Sequence, residues 1–196
     1  SLSPLIHNTA FELLGMDYVY LAFDVQPDYL TEALQGLVAL GIAGVNVTLP
    51  HKESVIPLLD DLSSEARAIG AVNTIVNDGG KLLGHNTDVY GFVEMMKSSS
   101  ESIEGEEVSV LGAGGAARAV IYGLMTHFRP KVIHLLNRSV ERATSLREFL
   151  ASSVGFHQID IVDLYMPAAQ VALSKSKLIV NATPLGMSPK TDDTAI

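Results

Sequence analysis

Leu111-Gly112-Ala113-Gly114-Gly115-Ala116-Ala117 stands between the apolar run Val108-Ser109-Val110-Leu111 and an apolar-faced stretch over residues 118–125. The order reads as strand, turn, helix. Glycines at such a turn permit a tight bend and let backbone N–H groups approach a pyrophosphate at the helix N-terminus. Alone, the pattern is weak evidence and also fits an ordinary strand-to-helix turn. The next strand, Val132-Ile133-His134-Leu135-Leu136, ends in Asn137-Arg138-Ser139, with Arg142 one turn further on. A chain that binds NAD usually carries an acidic residue there, about 20 positions past the glycines, to bond the ribose 2′-OH. Two guanidiniums and a hydroxyl suit a 2′-phosphate instead, so the expected cofactor is NADP(H). A solvated helix start is the plain alternative for Arg138 and Arg142, and their place directly after a strand of the same βαβ unit argues against it.

At 196 residues the chain holds one large domain or two small ones. An apolar fraction of 47% with 18% charged residues belongs to a packed globular protein. Thirteen basic against 22 acidic residues give a formal charge of −9, which speaks against a general nucleic-acid surface. There is no cysteine, hence neither a disulfide framework nor a thiolate metal site. The six histidines lack ligand spacing, so His7, His51 and His85 are expected to support the fold and no metal is expected. No apolar run reaches the roughly 18 residues of a membrane span, and Arg118 interrupts the longest helical one. A cytoplasmic protein without membrane partners is the expectation. The chain begins without methionine and stops in loop-like sequence, so truncation at both ends is expected too.

The sharpest change of composition is the polar, serine-rich stretch from Lys97 to Gly105. It divides the chain into a first domain over residues 1–97, a linker over 98–106 and a nucleotide domain over 107–196. In the first part, residues 18–25 and 44–49 read as strands. Residues 28–40 read as an amphipathic helix closed by Gly41, and 53–59 and 63–69 as short helices, the first interrupted by Pro57. Asn77-Asp78-Gly79-Gly80 is a strong hairpin signal between two further strands. Asp88 opens another helix through Met96. Past the linker, strands at 107–111, 132–136, 156–161 and 178–181 alternate with helices at 115–126, 140–152 and 164–173. That alternation predicts a parallel, doubly wound sheet.

Polar clusters gather at strand ends and turns of the first part, where site residues usually lie. They are Ser1-Leu2-Ser3-Pro4, Asn46-Val47-Thr48-Leu49-Pro50-His51-Lys52, Gly70-Ala71-Val72-Asn73-Thr74 and Gly84-His85-Asn86-Thr87-Asp88. Asn46 and Thr48 fall on one face of an apolar strand and need hydrogen-bond partners or a ligand. Each cluster has a bland reading: Thr48 as a strand threonine, Lys52 as a solvated helix start, Asp88 as a helix cap. Four of them upstream of a cofactor domain favour a site.

These clusters, together with Asn86-Thr87-Asp88-Val89-Tyr90-Gly91-Phe92, Gly112-Ala113-Gly114-Gly115-Ala116, Asn137-Arg138-Ser139 and Asn181-Ala182-Thr183-Pro184-Leu185-Gly186-Met187, resemble the shikimate dehydrogenase family in order and across essentially the whole chain. The resemblance implies an α/β fold with an N-terminal substrate-binding domain and a Rossmann-like NADP-binding domain. It implies reversible NADPH-dependent reduction of 3-dehydroshikimate to shikimate, in aromatic amino acid biosynthesis. Lys52 and Asp88 match the family's catalytic pair. Ser1 and Ser3 match the hydroxyls that hold the substrate carboxylate, and Thr48 and Asn73 match further substrate contacts. Gly112, Ala113, Gly114, Gly115 and Ala116 would cradle the pyrophosphate, while Asn137, Arg138, Ser139 and Arg142 would hold the 2′-phosphate. Thr183 and Pro184 sit where the family's chain passes the nicotinamide side. Hydride arriving at a ketone leaves negative charge on oxygen, which an ammonium oriented by Asp88 stabilises and then protonates.

The family's first strand, before the Ser-x-Ser motif, is missing from this sequence, as is a C-terminal stretch that supplies a tyrosine and a glutamine to the substrate site. A quinate/shikimate dehydrogenase of broader substrate or cofactor use is the alternative on the same scaffold. A non-catalytic metabolite sensor predicts loss of Lys52 or Asp88, and both are present. A tRNA-dependent reductase conflicts with the acidic charge and the absent cysteine. The expected assembly is a monomer or homodimer.

Overall fold

The structure, a computed structural model, describes residues 2–97, 102–186, 192 and 194. Ser1 and the serine-rich residues 98–101 of the predicted linker lie outside the described residues. The first part runs α1 (Ser3–Leu14), α2 (Leu30–Ala39), β1 (Gly44–Asn46), α3 (His51–Ser54), β2 (Asp61–Leu62), α4 (Ser64–Ile69), β3 (Thr74–Asp78), β4 (Lys81–His85) and α5 (Asp88–Lys97). Its strands form one sheet in the order β1-β3-β4-β2, antiparallel except where β2 lies parallel to β4. The β3–β4 turn is tighter than the four-residue signal: Asp78 pairs with Lys81, and only Gly79 and Gly80 form the loop. Both have positive φ, 60° and 98°, as a two-residue hairpin that follows the strand twist demands.

Three expectations need correction here. Residues 18–25 are extended but belong to no ladder among the described residues. Asn8 holds that segment instead, its side chain accepting from the Tyr20 N–H at 2.7 Å and donating to the Tyr20 carbonyl at 3.0 Å. Strand β1 stops at Asn46 rather than Leu49, because the chain turns at Thr48 and Pro50 has no N–H to offer a neighbour. The helix expected over 53–59 divides at Val55 into α3 and a 3₁₀ turn, Ile56–Leu58, that places Pro57 near its start.

The second part alternates as expected: β5 (Glu107–Leu111), α6 (Gly115–Gly123), β6 (Val132–Asn137), α7 (Val140–Val154), β7 (Ile159–Asp163), α8 (Pro167–Lys175) and β8 (Leu178–Asn181). Helix α6 gives way to a π turn, Leu124–Phe128, and α8 begins at Pro167 rather than residue 164. The strands are all parallel in the order β7-β6-β5-β8. Val108, Val110, Ile133 and Leu135 face one layer with α6 and α7, whereas Leu111 and Leu136 face α8 on the other. This is a doubly wound, Rossmann-like sheet, and its direction of winding reverses at β5. Ser109, buried inside it, is satisfied by the Ser176 hydroxyl at 2.7 Å.

The first sheet has its own core around Ile75 and Leu82, and the core of the second also takes in residues of the first part. Val89, Phe92 and Val93 of α5 pack into the same cluster as Val108, Val110, Ala117 and Ile121, and Ile69 and Ala71 join them. Ile103, within the predicted linker, is buried there as well. No described helix is long and apolar enough to cross a membrane.

Candidate active site

The loop that leaves β1 places Lys52 on α3, a single helical turn. The turn begins where the Thr48 carbonyl accepts the His51 N–H, and the Lys52 carbonyl accepts the Val72 N–H at 2.8 Å. Buried His51 anchors the extended segment, its Nε2 lying 2.8 Å from the Val25 carbonyl. Lys52 Nζ donates to Asp88 Oδ2 at 2.6 Å, with the lysine side chain 15% and the aspartate 32% exposed. Asp88 is the first residue of α5, where the helix N-terminus favours a carboxylate. The Asp88 N–H donates to Asn86 Oδ1 at 3.0 Å, and Asn86 Nδ2 donates to the Ala71 carbonyl.

Asn73 ties the group together. Its Nδ2 donates to Asp88 Oδ1 at 2.7 Å and to Thr87 Oγ1 at 3.0 Å, while its Oδ1 accepts from the Thr87 N–H and the Thr74 hydroxyl. Asn46 Nδ2 donates to Thr74 Oγ1, and the Tyr20 hydroxyl donates to Asn46 Oδ1. A continuous hydrogen-bonded line therefore runs from Tyr20 to the Lys52–Asp88 pair. Thr48 lies exposed just before Lys52, and Ser3 opens α1, which this line joins to the site through Tyr20. Tyr20 carries no sequence signal for this role, whereas the run Asn86-Thr87-Asp88 marks Asn86 and Thr87 and the strand face shared with Thr48 marks Asn46.

The glycine turn lies on the other side of Lys52, and its glycines serve different ends. Gly112 needs φ of +103°, and a Cβ there would lie 3.1 Å from both the Ala182 carbonyl oxygen and Thr183 Cγ2. A Cβ on Gly114 would meet nothing within 4 Å, so the backbone there is open to a ligand. A Cβ on Gly115 would fall 2.9 Å from Lys52 Cβ and 3.1 Å from its Cδ. The lysine stem thus lies directly on the first residue of α6. No acidic side chain stands in the first turn of α6, whose leading N–H groups have no partner within the helix. Ala113 is buried behind the turn and Ala116 is half-buried on the helix.

At the end of β6, Asn137 Nδ2 donates to the Ser139 carbonyl at 2.8 Å, and Ser139 Oγ caps α7 by accepting the Arg142 N–H. Arg138 is exposed. Arg142, also largely exposed, reaches Glu53 Oε1 at 3.6 Å. Thr183 donates to Asn181 Oδ1 at 2.6 Å and accepts the Leu185 N–H, which fixes the turn containing Pro184 beside Gly112. Among the described residues no group of three or more acidic or histidine side chains is placed to hold a metal ion.

Comparison with known proteins gives the same answer from both parts of the chain. Residues 1–75 match the shikimate dehydrogenase substrate binding domain, and residues 94–189 match the shikimate / quinate 5-dehydrogenase family. The shikimate dehydrogenase (NADP(+)) of Salinibacter ruber is 47% identical over 192 residues, covering 96% of this chain and 66% of the relative. A shikimate dehydrogenase crystallised with NADP+ superimposes with a TM-score of 0.87 at 38% identity, covering 100% of this chain and 67% of that one. The Thermus thermophilus enzyme in complex with NADP(H) and shikimate gives 0.79 at 37% identity, over 95% of this chain and 65% of its own. The chain spans about two thirds of the length of the relatives it matches.

Proposed function

The chain belongs to the shikimate dehydrogenase family, and from that premise we propose that it carries the catalytic pair and cofactor cradle of an NADP-dependent oxidoreductase interconverting 3-dehydroshikimate and shikimate. The observation that carries this reading is the contact of Lys52 with both Asp88 and Gly115, which sets an ammonium beside the glycine turn of a doubly wound sheet. Ligands of such sheets bind at the carboxyl ends of the strands where winding reverses, and β5 is that strand.

The residues present fit NADP(H). Open space at Gly114 and the unopposed N–H groups of α6 suit a pyrophosphate, with Gly112, Ala113, Gly115 and Ala116 shaping the turn. Arg138 and Arg142, with Asn137 and Ser139, present donors and positive charge for a 2′-phosphate. When bound, the nicotinamide supplies or accepts the hydride. Lys52 then gives a proton to the carbonyl oxygen of the substrate as negative charge develops there, and takes it back in the oxidative direction. Asp88 holds the amine at 2.6 Å and Asn73 holds Asp88. Ser1, Ser3 and Thr48 supply hydroxyls to the substrate. Asn73 contributes as well, exchanging one of its bonds to Thr87 or Asp88 for the ligand. Thr183 and Pro184 border the nicotinamide side. The setting is aromatic amino acid biosynthesis in the cytoplasm, and the protein acts as a monomer or homodimer.

Initial rates of the full-length protein with shikimate or quinate, each paired with NADP+ or NAD+, test the reading. The highest kcat/KM is expected for shikimate with NADP+. A higher efficiency with NAD+ overturns the role given to Arg138 and Arg142, and a preference for quinate overturns the substrate.

A further inference from the structure

Directly behind Lys52, two oppositely charged side chains that no part of the proposed chemistry uses join the two sheets. Arg118, on α6, donates from Nη2 to Glu53 Oε2 at 3.0 Å. Its side chain is only 12% exposed, its Nη1 donates to the Ile69 carbonyl at 3.3 Å, and its Cζ lies 4.9 Å from the centre of the Phe149 ring. Arg142 approaches the other carboxylate oxygen of Glu53 at 3.6 Å. Gly70 leaves room for this stack: a Cβ there would fall 2.6 Å from Phe149 Cζ and 3.1 Å from Arg118 Nη1.

Arg118 stands three residues after Gly115, on the same face of α6. The helix therefore grips α3 at two successive points, the stem of Lys52 against Gly115 and the carboxylate of Glu53 against Arg118. A single helical turn cannot hold its own direction, since one turn fixes several backbone angles for very few hydrogen bonds. The direction of the Lys52 amine must come from what α3 is fastened to. Glu53 is 35% exposed while Arg118 is largely buried, so the pair is poor evidence for added stability, but loss of the carboxylate leaves a largely buried guanidinium without its counter-charge.

We propose that Arg118 and Glu53 are positioning residues for Lys52: their ion pair locks the catalytic turn of the first sheet onto the glycine-turn helix of the second. The proposal rests on Lys52 being the reacting amine. It assigns the pair no contact with substrate or cofactor.

The test compares E53Q, R118Q, the double variant and K52A in the full-length protein, following kcat and KM for shikimate oxidation, NADPH binding and Tm. Each single variant is expected to lose about tenfold or more in kcat, because small misplacements of a reacting group cost that much. The double variant is expected to fall no further than the worse single one, as residues acting as a unit do. In R118Q, which leaves Arg142 untouched, KM for NADP+ and NADPH affinity stay within about threefold, which separates lost positioning from lost ground-state binding. Folded E53Q and R118Q with wild-type kcat overturn the proposal, as do losses that multiply in the double variant or fall only on KM. If R118Q does not fold, E53Q, of nearly the same shape as the native residue, decides alone by the same criterion. K52A with undiminished turnover overturns the underlying reading of Lys52; K52A inactive beside fully active E53Q and R118Q overturns the positioning role only.

Discussion

Gly114 and Gly115 are neighbours in sequence and opposites in surroundings. Beside Gly114 there is open space, so Gly114→Ala is expected to leave Tm unchanged or slightly raised while weakening NADPH binding about tenfold, because the added methyl occupies room a phosphate needs. Fluorescence titration with NADPH checks it. Beside Gly115 stands the Lys52 stem at 2.9 Å, so Gly115→Ala displaces the amine and lowers kcat. Equal effects of the two substitutions would contradict this division. Asn73 shows a third pattern, with both ends of its amide engaged by Thr74, Thr87 and Asp88. Asn73→Ala removes the buried member of this network, including its bond to the Asp88 carboxylate, and is expected to cost about 1–3 kcal/mol of stability as well as turnover, measurable by denaturant unfolding. The residue types were legible in sequence at all three positions. Their individual duties were not, because the contacts of Gly115 and Asn73 come from chain segments far away in sequence.

The alternation of apolar runs past residue 106 announced a parallel sheet, since buried parallel strands read as nearly continuous hydrophobic stretches. The hairpin was equally plain in Asn77-Asp78-Gly79-Gly80. By contrast, residues 18–25 have strand-like composition and no ladder partner among the described residues, and composition says nothing about which neighbour is available. Strands β5 and β6 also carry a histidine–carboxylate hydrogen bond whose effect depends on pH. The hydrogen bond from His134 Nε2 to Glu107 Oε2, 3.0 Å, holds the Glu107 carboxyl below its ordinary value. A depressed carboxylate contributes stability that is whole above the ordinary glutamate value, about 4.3, and fades as pH falls through the lower folded value. The Tm difference between the native protein and Glu107→Gln is therefore expected to shrink as pH falls below about 4.3. A difference that stays undiminished well below that pH contradicts the pairing.

The two sheets meet through α5, whose apolar face enters the core of the second, and through the α3–α6 joint that carries Lys52. Reversal of winding at β5 sets the mouth of the glycine turn at that joint, so fold and site are one consequence of the same topology. Arg118 was visible in sequence only as a charge interrupting an apolar helix, and its partner Glu53 lies on the opposite side of the predicted linker. The most direct measurement is kcat for shikimate oxidation by full-length Lys52→Ala, beside its equilibrium affinity for shikimate. Loss of a positioned general acid–base predicts a fall in kcat of about 10²–10⁴-fold with affinity largely kept. Turnover equal to that of the native protein, with binding intact, would contradict it.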